Sequence, residues 1–200
     1  MSKFTHIIGI DESGRGPLAG PVFLGAVCMR RANLHYLEHH FVGLKDPKRM
    51  TAKQREEWFV VLKEAEERRI FQVSVTFSSH ATIDAHGIVP AIRFALHRAS
   101  RRIKAPRDTT RVLLDGGLRA QRTFLNQTTI VRGDSKEPLI MLAALAAKVT
   151  RDRYMRRLHV EYPQYAFDQH KGYGTALHYT ALQKYGPSPV HRRSFLGGLQ

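Results

Sequence analysis

Cysteine is almost missing from this chain. Cys28 is the single one among 200 residues, so no disulfide can close within it. It lies inside the apolar run VFLGAVCM, where a small core residue is expected rather than a reactive thiol, and this usage fits a reducing, cytoplasmic setting. Long apolar runs are missing too. The opening MSKFTHIIGIDES is too polar for a secretory signal, and nowhere do about 18 apolar residues follow one another, as a membrane-spanning helix requires. There is no repeat and no low-complexity tract. Acidic side chains are scarce beside basic ones: 17 Asp and Glu against 32 Lys and Arg, a formal charge of +15. Such a surplus favours a polyanionic partner, most commonly nucleic acid. Structural RNA-binding proteins share that balance, so charge does not separate a binder from an enzyme.

What is present reads as a mixed α/β protein. Residues 4–10 (FTHIIGI) form a short strand, and residues 22–29 are nearly continuously apolar, as a strand covered on both faces should be. Residues 51–69 read as a helix, with Thr51 and Gln54 at capping-box spacing and Trp58, Val61, Leu62 and Ala65 on one face. In residues 70–77, Val73, Val75 and Phe77 alternate with Gln72, Ser74 and Thr76. A second helix covers about 88–103, residues 104–110 form a loop, and short strands fall at 111–115 and 129–132. An Ala- and Leu-rich core helix at 138–149 and a last helix at 175–185, ending at Gly186, complete the reading. The expectation is one domain: a mixed sheet flanked by helices over about 1–150, with a helical C-terminal extension over about 151–200.

Acids recur at predicted strand ends: Asp11 and Glu12 after the first, Asp115 after RVLL, and Asp134 after TIVRG. Strand ends on one sheet edge can gather sequence-distant carboxylates, and such oxygen donors suit Mg²⁺ or Mn²⁺. Two such ions roughly 3.5–4 Å apart can activate water and stabilise the leaving oxygen of a phosphodiester. Strand-end acids also serve as turn residues or helix caps, and the pattern alone leaves both readings open. The stretch GRGPLAG (14–20) lacks the spacing of a dinucleotide fingerprint and the Gly-Lys-Ser/Thr of a P-loop. Gly14 and Gly16 would let backbone approach a ligand closely, and Arg15 could hold a phosphate; a plain tight turn is the alternative. In HKGYG (170–174), Tyr173 could stack on a sugar or base and Lys171 contact phosphate, or the segment is a helix-flanking loop. His191, in HRRSF, reads as structural.

Taken in order, IIGIDESGRGPLAGPV, LKDPKRMT, LLDGG, VRGDSK, AAKVTRDRYM, YPQYAF, HKGYGT and HRRSF closely resemble bacterial ribonuclease HII from about residue 6 to residue 195. The resemblance implies a ribonuclease H-like fold. It implies that Asp11, Glu12, Asp115 and Asp134 form a four-carboxylate metal site, and that Gly14, Arg15 and Gly16 read the 2′-hydroxyl and adjacent phosphate. Tyr173 would pack at the sugar beyond the ribonucleotide, and Lys45, Asp46 and Lys48 would lie near the duplex backbone. Three departures stand out. Pro47 replaces a Ser, removing a hydroxyl and an N–H from that loop. Ala144 and Leu145 stand where the family has Ser-Ile. Asp152 reads as a structural acid that positions arginine or backbone groups. The motif begins at residue 11, which leaves no space for the extra N-terminal domain of ribonuclease HIII, and SFLGGLQ offers no long tail as a partner peptide for a sliding clamp.

The implied activity is endonucleolytic hydrolysis on the 5′ side of ribonucleotides, in RNA–DNA hybrids and at single ribonucleotides in duplex DNA, as in ribonucleotide excision repair. It depends on Mg²⁺ or Mn²⁺ and leaves a 3′-hydroxyl and a 5′-phosphate, with a monomer as the default state. Two rivals make different predictions. A resolvase or integrase-like nuclease of the same fold would ignore the 2′-hydroxyl, and a non-catalytic RNA-binding protein would bind without cleaving.

Overall fold

The computed structural model describes residues 4–197. A five-stranded sheet organises them: β1 (His6–Ser13), β2 (Val22–Arg30), β3 (Phe71–Ser78), β4 (Thr110–Asp115) and β5 (Asn126–Ile130), in the spatial order β3-β2-β1-β4-β5. β1, β2 and β3 form an antiparallel meander, and β4 and β5 continue parallel to β1. The helices are α1 (Leu34–His40), α2 (Ala52–Glu67), α3 (His80–His86), α4 (Ile88–Arg102), α5 (Pro138–Glu161), α6 (Phe167–His170) and α7 (Ala176–Tyr185). The expected mixed sheet flanked by helices is therefore what forms. Among the described residues, no helix is long and apolar enough to cross a membrane.

Strand alternation sorts the side chains between two cores. Ile8, Ile10, Val112 and Leu114 face α4 with Ile92, Ala95, Leu96 and Ala99. Val27 and Met29 face the other way, onto α5 and α2, with Leu142, Leu145, Val149 and Leu62. The α5 side is unusually tight. A Cβ on Gly9 would lie 2.2 Å from the Leu139 carbonyl carbon, and one on Gly25 would lie 2.1 Å from the Ala143 carbonyl oxygen. The backbone of the helix rests directly on strand backbone at these points, Leu139 over Gly9 and Ala143 over Gly25, which is why two bare positions occur in the central strands.

Several expectations shift. β1 runs on through Asp11 and Glu12 to Ser13, so these acids lie within the strand rather than after it. β5 is Asn126–Ile130, not 129–132, because Arg132 takes a left-handed conformation (φ 56°) that ends the extended chain. α5 continues to Glu161, well past Val149, with Arg151 and Asp152 buried in its second half. In β3 the polar residues are the more buried ones: Thr76 and Ser78 donate their hydroxyls to the Ala95 and Ala91 carbonyls of α4, each at 2.7 Å, while Phe77 is exposed. The helices at 51–69, 88–103 and 175–185 form within two residues of their expected bounds, and the Thr51/Gln54 capping box is complete.

The C-terminal segment packs back on the loop after β1. Leu18 and Ala19 join Met155, Leu158, Tyr165, Phe167, Ala181 and Leu182 in a third apolar cluster. Two backbone bonds stitch the segments together: Leu18 N–H donates to Gly172 O at 2.8 Å, and Arg192 N–H to Leu18 O at 2.8 Å.

Candidate metal centre and substrate cleft

Asp11 pairs across the sheet with Gly25, and Gly25 faces α5, so Asp11 points to the α5 side. Asp115 ends β4 one step after Leu114, which faces α4, and thus projects to the α5 side as well. Asp134 arrives in a short 3-10 turn (Gly133–Ser135) just before α5. One carboxylate oxygen from each of Asp11, Asp115 and Asp134 lies within 4.8 Å of the other two. Backbone donors fix two of them: Gly133 N–H donates to Asp115 Oδ1 at 2.6 Å and Glu12 N–H to Asp11 Oδ1 at 2.7 Å.

Three carboxylates in so small a space repel one another. Burial, then the fields of Glu12, Asp115 and Asp134, hold the Asp11 carboxyl well above the ordinary carboxylate range. The cluster therefore calls for positive charge, and Lys48 supplies some: its Nζ donates to Asp134 Oδ2 at 2.5 Å. Partial burial works against the Lys48 charge, but Asp134, Asp11 and Asp46 more than offset it and keep the ammonium above its usual pKa. An all-oxygen, anionic donor set that draws a lysine ammonium into itself fits a hard divalent cation.

Glu12 is next to Asp11 in sequence but on the opposite strand face, the side of Ile8 and Ile10. It stands outside the triad and pairs with Arg15, whose Nε donates to Glu12 Oε1 at 2.9 Å. Burial raises its pKa, and Arg15 opposes the rise.

Two of the three, Asp11 and Asp134, open on a cavity of about 360 Å³ walled also by Glu12, Gly14, Lys48, Lys148 and Tyr173 among others. Tyr173 is 43% exposed, with the Arg151 guanidinium 5.8 Å from its ring centre. Gly14, at φ 96°, sits so close to Arg151 that a Cβ would lie 2.1 Å from its Nε. Arg15 and Gly16 are exposed at the rim. Pro47 starts a 3-10 turn capped by Asp46, which accepts from Lys48 N–H at 2.8 Å, so the turn that carries Lys48 forms without the serine hydroxyl. Ala144 lines the cleft and Leu145 packs into the α5 core. Lys45 is exposed outside the cavity wall, and Lys171 donates to the Asp168 carbonyl rather than lining the cleft.

Four supporting residues gave no clear sequence signal of their role. Arg192 is fully buried and donates to Gly20 O at 2.8 Å, Arg15 O at 2.9 Å and Gly14 O at 2.7 Å, so it holds the glycine turn by its carbonyls. Burial lowers its pKa to about 9 and that of Arg151 to about 10. Lys148 lines the cleft and donates to Asp152 Oδ1 at 2.8 Å, while Arg55 lies 3.5 Å from Asp152 Oδ2 and donates to Pro47 O at 3.1 Å. Asp152 thus orients two cations, as a structural acid should. His191 is buried, with Nε2 2.9 Å from His178 Nε2, in a supporting position.

A family model described as ribonuclease HII matches residues 8–197. The chain is 40% identical over 194 residues to a ribonuclease HII of Caldicellulosiruptor bescii, covering 96% of this chain and 87% of that protein. Among solved structures, ribonuclease H2 from Pyrococcus horikoshii superposes with a TM-score of 0.71 at 25% identity, covering 94% of this chain and 93% of that one. The ribonuclease HII of Archaeoglobus fulgidus, solved in complex with PCNA, shares the fold with a TM-score of 0.73 at 23% identity, covering 97% and 96%.

Proposed function

Since the chain belongs to the ribonuclease HII family and is an endoribonuclease, we propose that it cuts the phosphodiester 5′ to ribonucleotides, both in RNA–DNA hybrids and at single ribonucleotides embedded in duplex DNA. The products are a 3′-hydroxyl and a 5′-phosphate, which suits the enzyme to removing ribonucleotides from DNA. The observation that carries this reading is the meeting of Asp11, Asp115 and Asp134 within 4.8 Å, beside a cleft that Asp11 and Asp134 line together with Tyr173 and Gly14.

In this reading Asp11, Asp115 and Asp134 hold Mg²⁺ or Mn²⁺. Divalent ions bound there supply an activated water and charge stabilisation for the leaving oxygen. Glu12 belongs to the proposed set as the neighbour of Asp11, and its carboxylate has to leave Arg15 to join. Lys48, Lys148 and the rim residue Arg15 are the candidates to meet substrate phosphate, with Lys45 farther out on the Lys48 loop and Lys171 on the loop that carries Tyr173. The backbone of Gly14, Arg15 and Gly16, held from behind by Arg192, offers groups to the 2′-hydroxyl, the one atom that separates RNA from DNA locally. Tyr173 packs against the sugar beyond it. The whole chain works as one catalytic unit, because the C-terminal segment supplies both Tyr173 and the clamp on the glycine turn. We take it to act as a cytoplasmic monomer.

A duplex carrying one ribonucleotide, compared with the same duplex in all-DNA form, tests the reading in Mg²⁺, Mn²⁺ and EDTA. Cleavage only of the ribonucleotide-bearing strand, at its 5′ side and only with metal, is the expected result. Cleavage of both duplexes points to a nuclease blind to the 2′-hydroxyl, and binding without cleavage rejects the proposal.

A further inference from the structure

A larger cavity, about 830 Å³, lies on the other face of the sheet, between α4 and the linker from β4 to β5. Arg93, Phe94 and His97 of α4 form one wall, and Arg119, Arg122 and Thr129 belong to the other. No Asp or Glu lines it. Arg93, Arg119 and Arg122 are exposed and, among the described residues, enter no ion pair or hydrogen bond. Other arginines here do find partners: Arg153 and Arg156 both bind Glu56. Three uncompensated guanidiniums around one concavity concentrate positive potential where an anion can enter.

The pocket shares no wall with the cleft, but both of its walls start at the end of the sheet that carries the triad. Its linker wall leaves β4 at Asp115 and reaches Arg119 four residues later, turning through Gly116 (φ 55°) and a Leu118 N–H bond to the Asp115 carbonyl. Its helical wall sits at the same end of the sheet. β3 runs parallel to β1, and its last residue, Ser78, pairs with Val22 beside the end of β1. Ser78 and Thr76 pin α4 there through Ala91 and Ala95, so Arg93 and His97 lie within about 14 Å of the start of α4. A duplex advances about 3.4 Å per nucleotide on each strand, so a duplex engaged at the triad extends beyond it in steps of that size, and its arm is the polyanion available to this pocket.

We propose that this pocket is a second nucleic-acid contact, which grips the phosphate backbone of the duplex arm flanking the cleavage site. The proposal rests on the ribonuclease reading for its substrate, but not on the chemistry of the triad. Arginine suits the task because its fork can take two phosphate oxygens at once. The contact is blind to sequence and to sugar type, so it adds affinity and salt dependence without adding selectivity.

The test replaces Arg93, Arg119 and Arg122 together with Gln. A control replaces Arg30, Arg31 and Arg69, at the far end of the sheet, and thereby removes the same charge. Binding of an all-DNA duplex and of a ribonucleotide-bearing duplex is measured at about 30 and about 8 base pairs, across salt concentrations. The triple variant is expected to lose about tenfold in affinity for the long duplexes, with a log–log salt slope shallower by about 2–3, near 0.9 per lost contact. Short-duplex binding and kcat should match the parent, and KM should rise only on long substrate. Equal loss in the control overturns the proposal, as does equal loss on both lengths or none on either. Weakened binding of inorganic phosphate alone, with duplex binding intact, makes the pocket a small-anion site and also overturns it. Should the parent fail to distinguish the ribonucleotide, the function reading falls, while the all-DNA arm still reports on the pocket.

Discussion

Asp11 and Glu12 are neighbours in sequence that face opposite sides of a strand, and they are expected to respond differently to the loss of charge. Asp115→Asn keeps the oxygen that accepts from Gly133 N–H and removes one of three crowded charges. Metal-dependent cleavage should fall at least about a hundredfold, on the scale of losing a key electrostatic group, while Tm stays level or rises. Unchanged turnover would remove Asp115 from the centre. Arg192 is the opposite case. It is buried, lowered in pKa by desolvation, and bound to three carbonyls of the glycine turn. Arg192→Gln leaves those carbonyls underbonded, so urea unfolding should show a loss of about 3 kcal/mol. The same variant should weaken discrimination between ribo- and deoxyribonucleotide substrates. If Arg192 serves stability alone, selectivity will not move.

At the level of elements, the contact of α5 with β1 and β2 decides where the carboxylates go. Gly25 is the cross-strand partner of Asp11 and meets the Ala143 backbone. Gly25→Ala pushes helix from sheet and should cost about 1–3 kcal/mol, seen as a lower Tm, and should raise the metal concentration needed for half-maximal activity. A variant as stable as the parent would show that the helix can shift freely. This packing was half legible: the run PLIMLAALAAKV announces a closely packed helix, yet nothing in it marks Val149 as a false end. Arg151 and Asp152 are polar residues in buried positions, and hydropathy reads them as surface. β5 was misplaced because four of its five residues are polar and it is largely unburied, so it carries no alternation. The acids of the centre were legible as a set, since they cluster by strand ends. The separation of Glu12 was not, because it depends on β1 extending three residues beyond the apolar run.

For the molecule as a whole, three buried histidines tie the C-terminal segment to the cleft. His170 accepts from Gly172 N–H, His178 Nδ1 lies 2.9 Å from the Tyr173 carbonyl, and His191 closes the chain through His178. Burial lowers His178 and His191 to about 4, below their ordinary 6.5. The unfolded chain therefore binds protons that the folded chain refuses. Their contribution is complete above pH 6.5 and is lost as pH falls towards 4, on the order of 1–2 kcal/mol each by pH 5. His191→Gln should be less stable at pH 7 but should flatten the stability slope near pH 5 by about one proton, as unfolding titrations can read. A slope equal to the parent's would mean that other groups carry the acid sensitivity. The fold draws Asp11, Asp115 and Asp134 together, and the task proposed for them is to hold a divalent cation. Mn²⁺ binding, followed by electron paramagnetic resonance in the parent and in Asp11→Asn, Asp115→Asn and Asp134→Asn, tests it most directly. Each substitution is expected to weaken Mn²⁺ at least about tenfold with the fold retained; parent-like Mn²⁺ affinity in any one of the three contradicts the account.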